Sequence, residues 1–202
     1  MEPLLDIVAR HGLDEEAWRV LLRARAETDT AGLAPDAVAR VSLTRLNLHR
    51  TLRLERTWLP SPALAAELAL VRAPQTWLVI SEPWCGDSAQ CVPCLVVAAR
   101  RCPPVRLRLL PRDDFPAVMD LFLTRGTRSI PILAALDDQG RELFRWGPRP
   151  AAAQAVVDAA KAEGLDKDAV QERLHLFYGR DRGRALDAEL AARLRSARGV
   201  AP

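Results

Sequence analysis

The chain has 202 residues, 49% of them hydrophobic, with 29 basic against 26 acidic residues. That suffices for one core of ordinary size carrying helical additions. A net charge of +3 with scattered arginines argues against a nucleic-acid surface. No apolar run reaches the ~18 residues of a membrane span. The opening Met1-Glu2-Pro3-Leu4-Leu5-Asp6 lacks the basic and apolar regions of a signal peptide. A cytoplasmic protein with no membrane or nucleic-acid partner is therefore expected. All four cysteines fall between Cys85 and Cys102, which points to one local site rather than a disulfide framework.

Residues 1–73 read as a helical N-terminal extension. Leu4, Leu5, Ile7 and Val8 are spaced for one helix. A second follows Leu13-Asp14-Glu15-Glu16, which combines a cap with acidic first-turn residues. A loop at 28–32 precedes a helix over 35–56. Pro60-Ser61-Pro62 breaks it, and a fourth helix covers 63–71.

The texture changes at Pro74, and 74–150 reads as the core. Residues 77–80 form a short apolar run, as in a strand buried on both faces. A loop over 81–84 leads to a helix over 86–101. Residues 105–110 alternate apolar and Arg, a half-buried strand. A helix is expected over 115–123, a strand over 132–136, a turn at Asp137-Asp138-Gln139-Gly140 and a returning strand over 142–146. Residues 151–202 read as a C-terminal helical extension broken at Gly164 and Gly179, with a frayed tail over 196–202. The sum is an α/β fold, a mixed central sheet flanked by helices and extended by helices at both ends.

Cys85 stands at the mouth of a helix directly after a buried strand. Unpaired amides and the positive end of the helix dipole stabilise a thiolate there. Gly86 removes bulk beside the sulfur. Asp87, an anion in the first turn, favours the helix and opposes the neighbouring thiolate.

Trp84-Cys85-Gly86-Asp87-Ser88, with Pro93 and Leu95 further along, resembles the active-site helix of the thioredoxin family. Ser129-Ile130-Pro131 before Ile132-Leu133 resembles that family's cis-proline strand, and Gly140 and Gly147 fall near its hairpin glycines. The resemblance covers about residues 74–150. Segments 43–56 and 174–178 are similar to a little-characterised branch with Trp-Cys-Gly-Asp and helical extensions. The resemblance implies a thioredoxin-like fold, Cys85 as nucleophile, and a substrate surface of Trp84, Gly86, Asp87, Ile130, Pro131 and Gly147. It also exposes two departures. Ser88 stands where the family has its resolving cysteine, and Val79 where it has a buried aspartate. The dithiol mechanism needs both groups.

Cys91 and Cys94 are possible secondary thiols. At 1.5 Å per residue they lie about 9 and 13 Å along the helix from Cys85, beyond the ~7 Å between Cα atoms that a disulfide tolerates. Neither closes on Cys85 unless the helix start unwinds. Both, with Cys102, read as core packing, as does His175 beside Phe177 and Tyr178. His11, His49 and His175 are dispersed, so no metal site is expected.

Three functions fit. The first is a single-cysteine thiol–disulfide oxidoreductase. Cys85 would attack protein or small-molecule disulfides, an external thiol such as glutathione would resolve the adduct, and backbone beside Pro131 would hold the partner as an added strand. The second is a non-catalytic binding module. The third, from a likeness of Cys85-Gly86-Asp87-Ser88 to single-cysteine glutaredoxins, is a glutathione-dependent iron–sulfur carrier. No other cofactor is expected. A homodimer through the helical extensions is one assembly their apolar faces allow.

Overall fold

The computed structural model describes residues 3–199. Four helices come first: α1 (Leu4–His11), α2 (Glu15–Ala26), α3 (Pro35–Thr57) and α4 (Pro62–Ala69). Their starts follow local chemistry. The Asp14 and Ser61 side chains accept from the amides of Ala17 and Leu64, and Pro35 and Pro62 occupy first-turn positions where no amide partner is needed.

The sheet is built from β1 (Gln75–Ser81), β2 (Val105–Pro111), β3 (Ile132–Leu136) and β4 (Glu142–Trp146), in the order β2-β1-β3-β4. β1 runs parallel to β2, pairing Val79 with Leu109, and antiparallel to β3, pairing Val79 with Leu133. β3 and β4 form an antiparallel pair with a register shift at Ala135/Leu136. As the central strand, β1 is covered on both faces, which explains the unbroken apolar run from Trp77 to Ile80, each 0% exposed. The outer edge of β2 is closed in part by Leu13, which exchanges two 2.8 Å backbone hydrogen bonds with Leu109.

Connecting β1 to β2 is α5 (Gly86–Arg100). After β2 come a short α6 (Pro116–Met119) and a 3₁₀ turn, Asp120–Phe122. After β4 follow α7 (Ala151–Ala162), α8 (Lys167–Asp181) and α9 (Arg184–Ala197). The sheet divides two cores. On one face Trp77, Val79, Leu133 and Trp146 meet apolar residues of α2–α5 and α7–α9. On the other, Leu78, Ile80, Ile132 and Leu136 meet α1 and the Val118–Phe122 segment. This is a thioredoxin-like α/β arrangement with helices added before and after the sheet. None of the helices among the described residues is long and apolar enough to cross a membrane.

Three expectations need correction. Gly179 does not break α8, which runs on to Asp181. The chain turns instead at Arg182 and Gly183, both left-handed at φ 54° and 82°. The helix expected over 115–123 is one α-turn opened by Pro116 and one 3₁₀ turn from Asp120, and it ends where Leu123 leaves helical geometry. The expected tail from 196 is still helical at Ala197, and residues 200–202 lie outside the described residues.

Candidate functional site around Cys85

The Cys85 side chain caps α5. The Ser88 amide donates to its Sγ at 3.5 Å, and the thiol in turn donates to the Ile130 carbonyl at 3.4 Å. Ile130 precedes Pro131 through a cis peptide bond, and the Ile130 contact with Cys85 sets the loop before β3 against the mouth of α5. Cys85 is 9% exposed. Burial pushes its thiol up, and the Asp87 carboxylate adds to that. The Ser88 and Asp87 amides pull the other way. The Ser88 hydroxyl is itself buried without a protein acceptor or donor in hydrogen-bond geometry. The resting sulfur is thus a neutral thiol, with helix-end donors ready for an anion.

The neighbours of Cys85 are fixed from several directions. Trp84 is half-buried, and the guanidiniums of Arg40 and Arg112 stand over its ring at 5.2 and 4.9 Å from the centroid. The loop before it is held by Asn47 of α3, whose side-chain amide donates to the Pro83 carbonyl at 3.0 Å. Glu82, buried at the end of β1, accepts from the Asp113 amide at 2.7 Å, and burial pushes its carboxyl up. Gly147 lies against the opposite wall. At φ 121°, a β-carbon there would sit 2.2 Å from the Pro131 carbonyl oxygen, so only glycine fits.

Asp87 is buried and fully engaged. Arg149 donates to it through Nη2 at 2.7 Å and Nε at 3.1 Å, and the Tyr178 hydroxyl donates at 2.5 Å. The same hydroxyl lies 3.9 Å from the Cys91 sulfur. Desolvation and the adjoining Asp87 charge hold the Tyr178 phenol far above its ordinary range. Gly86 faces His175, whose ring would lie 3.3 Å from an added β-carbon. Burial and the charge of Arg50 lower the His175 imidazole, which keeps it neutral at pH 7.

The structure therefore brings Trp84, Cys85, Gly86, Asp87, Ser88, Ile130, Pro131 and Gly147 to one place. Cys91 and Cys94 do not join them. Both are buried deeper along α5, and burial raises both thiols. All four cysteines are free. Among the described residues no group of three or more His, Cys, Asp or Glu side chains is placed to hold a metal ion. Sequence reasoning missed Asn47, Arg149 and the direct contact of Tyr178 with Asp87. The last had a faint signal in the 174–178 resemblance. Arg149 and Asn47 had none, since nothing local marks a partner that arrives from another element.

Comparison with known proteins agrees with this fold. A family model described as thioredoxin matches residues 36–161. Two solved structures are similar at 23% identity, each covering 98% of this chain and 99% of its own. One is a protein of unknown function from Pseudomonas aeruginosa (TM-score 0.59), the other an HIV epitope scaffold (TM-score 0.58). At that identity they speak to the fold alone. No curated protein matches the chain.

Proposed function

Because the chain belongs to the thioredoxin family, we propose that it catalyses single-cysteine thiol–disulfide exchange at Cys85, with an external thiol completing the cycle. One observation carries this reading. The Cys85 sulfur caps α5, receives the Ser88 amide and faces the Ile130 carbonyl beside Pro131. The Cys85 thiolate attacks one sulfur of a disulfide R–S–S–R′. The S–S bond breaks, Cys85–S–S–R forms, and R′–S⁻ leaves and takes up a proton. An external thiolate R″–S⁻ then attacks the R sulfur, giving R–S–S–R″ and returning the electron pair to Cys85. Ser88 cannot perform this second step, since a hydroxyl forms no disulfide. An incoming backbone amide that donates to the Ile130 carbonyl would displace the Cys85 S–H from it, coupling partner docking to release of the thiol.

A second reading, a binding module without chemistry, is favoured by the burial and raised pKa of the resting thiol. The two separate in one experiment. The folded protein is incubated with oxidised glutathione from pH 7 to pH 9.5, and adducts are located by intact mass and peptide mapping. Exchange at Cys85 gives an adduct whose rate rises with pH and which excess reduced thiol removes. A protein that acquires no adduct at Cys85 while folded, yet does so when unfolded, is a binding module.

A further inference from the structure

Two buried hydroxyls close to Cys85 have no hydrogen-bond partner among the described residues. Ser81 ends β1 and is 0% exposed, and Ser88 in the first turn of α5 is 4% exposed. Both line one narrow cavity between α3 and α5, bordered on the far side by Trp18 and Leu22 of α2. Periodicity places them there. Ser88, Val92 and Val96 recur at four-residue spacing and share one face of α5, and Asn47, Thr51 and Glu55 do the same on α3. Ser81 lies on the same side of β1 as Trp77 and Val79, the side those helices cover.

The other polar groups of the lining are accounted for, with one exception. Asn47 is committed, since its amide donates to the Pro83 carbonyl and its oxygen accepts from Arg50. Glu55 accepts from Arg19. Thr51 is buried and uncommitted. On the same helix Thr44 and Thr57 each donate to the carbonyl four residues back at 2.8 Å, and Thr51 makes no such bond. Three hydroxyl-bearing residues thus border one space without a protein partner, and burying a hydroxyl unpaired is costly. Cavities that stay dry are lined by apolar groups, unlike this one. Its volume is about 10 Å³, the room a single water occupies, and an internal water makes about three hydrogen bonds.

We propose that this cavity binds one internal water shared by Ser81, Ser88 and Thr51, and that Ser88 is through it a positioning residue for Cys85. The hydrogen bonds can all be met at once. A hydroxyl carries one proton and two lone pairs, and a water two of each. The water donates to two of the hydroxyl oxygens and accepts from the third. Ser88 is then tied to β1 and to α3 as well as to its own helix. Its amide is the donor to the Cys85 sulfur, so the N-terminal helices hold that donor in place through the water. The assignment goes beyond the exchange reading and does not depend on it, because a nook that only binds a partner is capped in the same way.

A crystal structure of the whole chain tests the site directly. One ordered water should stand about 2.7–3.0 Å from the Ser81, Ser88 and Thr51 hydroxyl oxygens. Hydroxyls turned onto backbone carbonyls, with no water among them, would overturn the proposal. Two variants test the positioning role. Thr51→Val keeps the side chain's shape and removes one partner of the water, and Ser81→Ala removes another. In each, hydrogen exchange at the Ser88 and Ala89 amides should quicken about ten-fold. Thr44→Val is the control, since that hydroxyl serves the Arg40 carbonyl, and it should leave those amides unchanged. The Thr51→Val/Ser81→Ala double variant should lower the urea midpoint by less than the two single shifts together, because both changes remove bonds to the same water. Exchange at Ser88 that neither single variant moves, or that the control moves equally, rejects the proposal, as do strictly additive midpoint shifts.

Discussion

The Tyr178 hydroxyl donates a 2.5 Å hydrogen bond to the Asp87 carboxylate, tying α8 to the first turn of the helix that Cys85 caps. Arg149 completes the arrangement from the segment after β4. Three regions far apart in sequence thus meet one residue beyond Gly86. The charge they hold there adds to burial in keeping the resting thiol protonated.

Asp87→Asn removes the negative charge that opposes Cys85 ionisation, so the thiol pKa should fall. Arg149, left without its carboxylate while partly buried, should lower stability by about 1–3 kcal/mol. Thiolate absorbance against pH reports the first effect and denaturant unfolding the second. An unchanged or higher Cys85 pKa would show that Asp87 does not act on the sulfur. Tyr178→Phe keeps the charge, so it should cost stability on the order of 1–2 kcal/mol while leaving the thiol raised.

Alkali should weaken the fold. Burial raises the thiols of Cys85, Cys91, Cys94 and Cys102, so each holds its proton in the folded chain where the unfolded chain has released it. A raised folded pKa leaves stability intact below the unfolded value of ~8.5 and erodes it above. Each such group contributes a slope of up to about 1.4 kcal/mol per pH unit. The urea midpoint should be level from pH 7 to 8 and fall steadily from about pH 9. A level midpoint through pH 10.5 would contradict this.

Gly147→Ala should be among the most damaging single changes. Its β-carbon would meet the Pro131 carbonyl oxygen at 2.2 Å, and φ is 121°. The expected cost is about 3 kcal/mol or more, through displacement of the loop that faces Cys85. Gly164→Ala is the comparison. It also has positive φ, 74°, but nothing lies within 4 Å of the added carbon, so about 1 kcal/mol is expected. Equal midpoints for the two variants would refute the steric account.

Asn47→Ala leaves the Pro83 carbonyl without its 3.0 Å donor in a buried setting. Unfolding free energy should drop by about 1–3 kcal/mol. Amide hydrogen exchange should quicken in residues 82–86, where the loop loses its tie to α3. Unaltered exchange there would mean that Trp84, bracketed by Arg40 and Arg112, holds the loop by itself.

Much of the fold was legible because its signals are local. A four-residue apolar run at Trp77–Ile80, bounded by Pro74 and Ser81 and too short for a helix, reads as a buried strand. Asp14 announces a helix start through a hydrogen bond within its own first turn. Local rules failed where a neighbour overrode them. Gly179 looked like a helix end, yet α8 carries through it between Leu174, Tyr178 and the core, and the turn waits for Arg182 and Gly183.

The candidate site divides the same way. Position was in the sequence by itself: a cysteine followed by glycine at a helix mouth, a proline opening β3, and a serine where a second thiol would be needed. The first two follow from spacing along one helix and one strand, and the meaning of the serine from the family resemblance. The state of the sulfur was not. Arg149 and Tyr178 reach Asp87 across 62 and 91 residues of chain, and the Ile130 carbonyl reaches Cys85 across 45. A side chain's charge and solvation depend on what packs against it. No pattern of nearest neighbours in sequence records that, so only the tertiary structure decided that Cys85 rests as a shielded, neutral thiol.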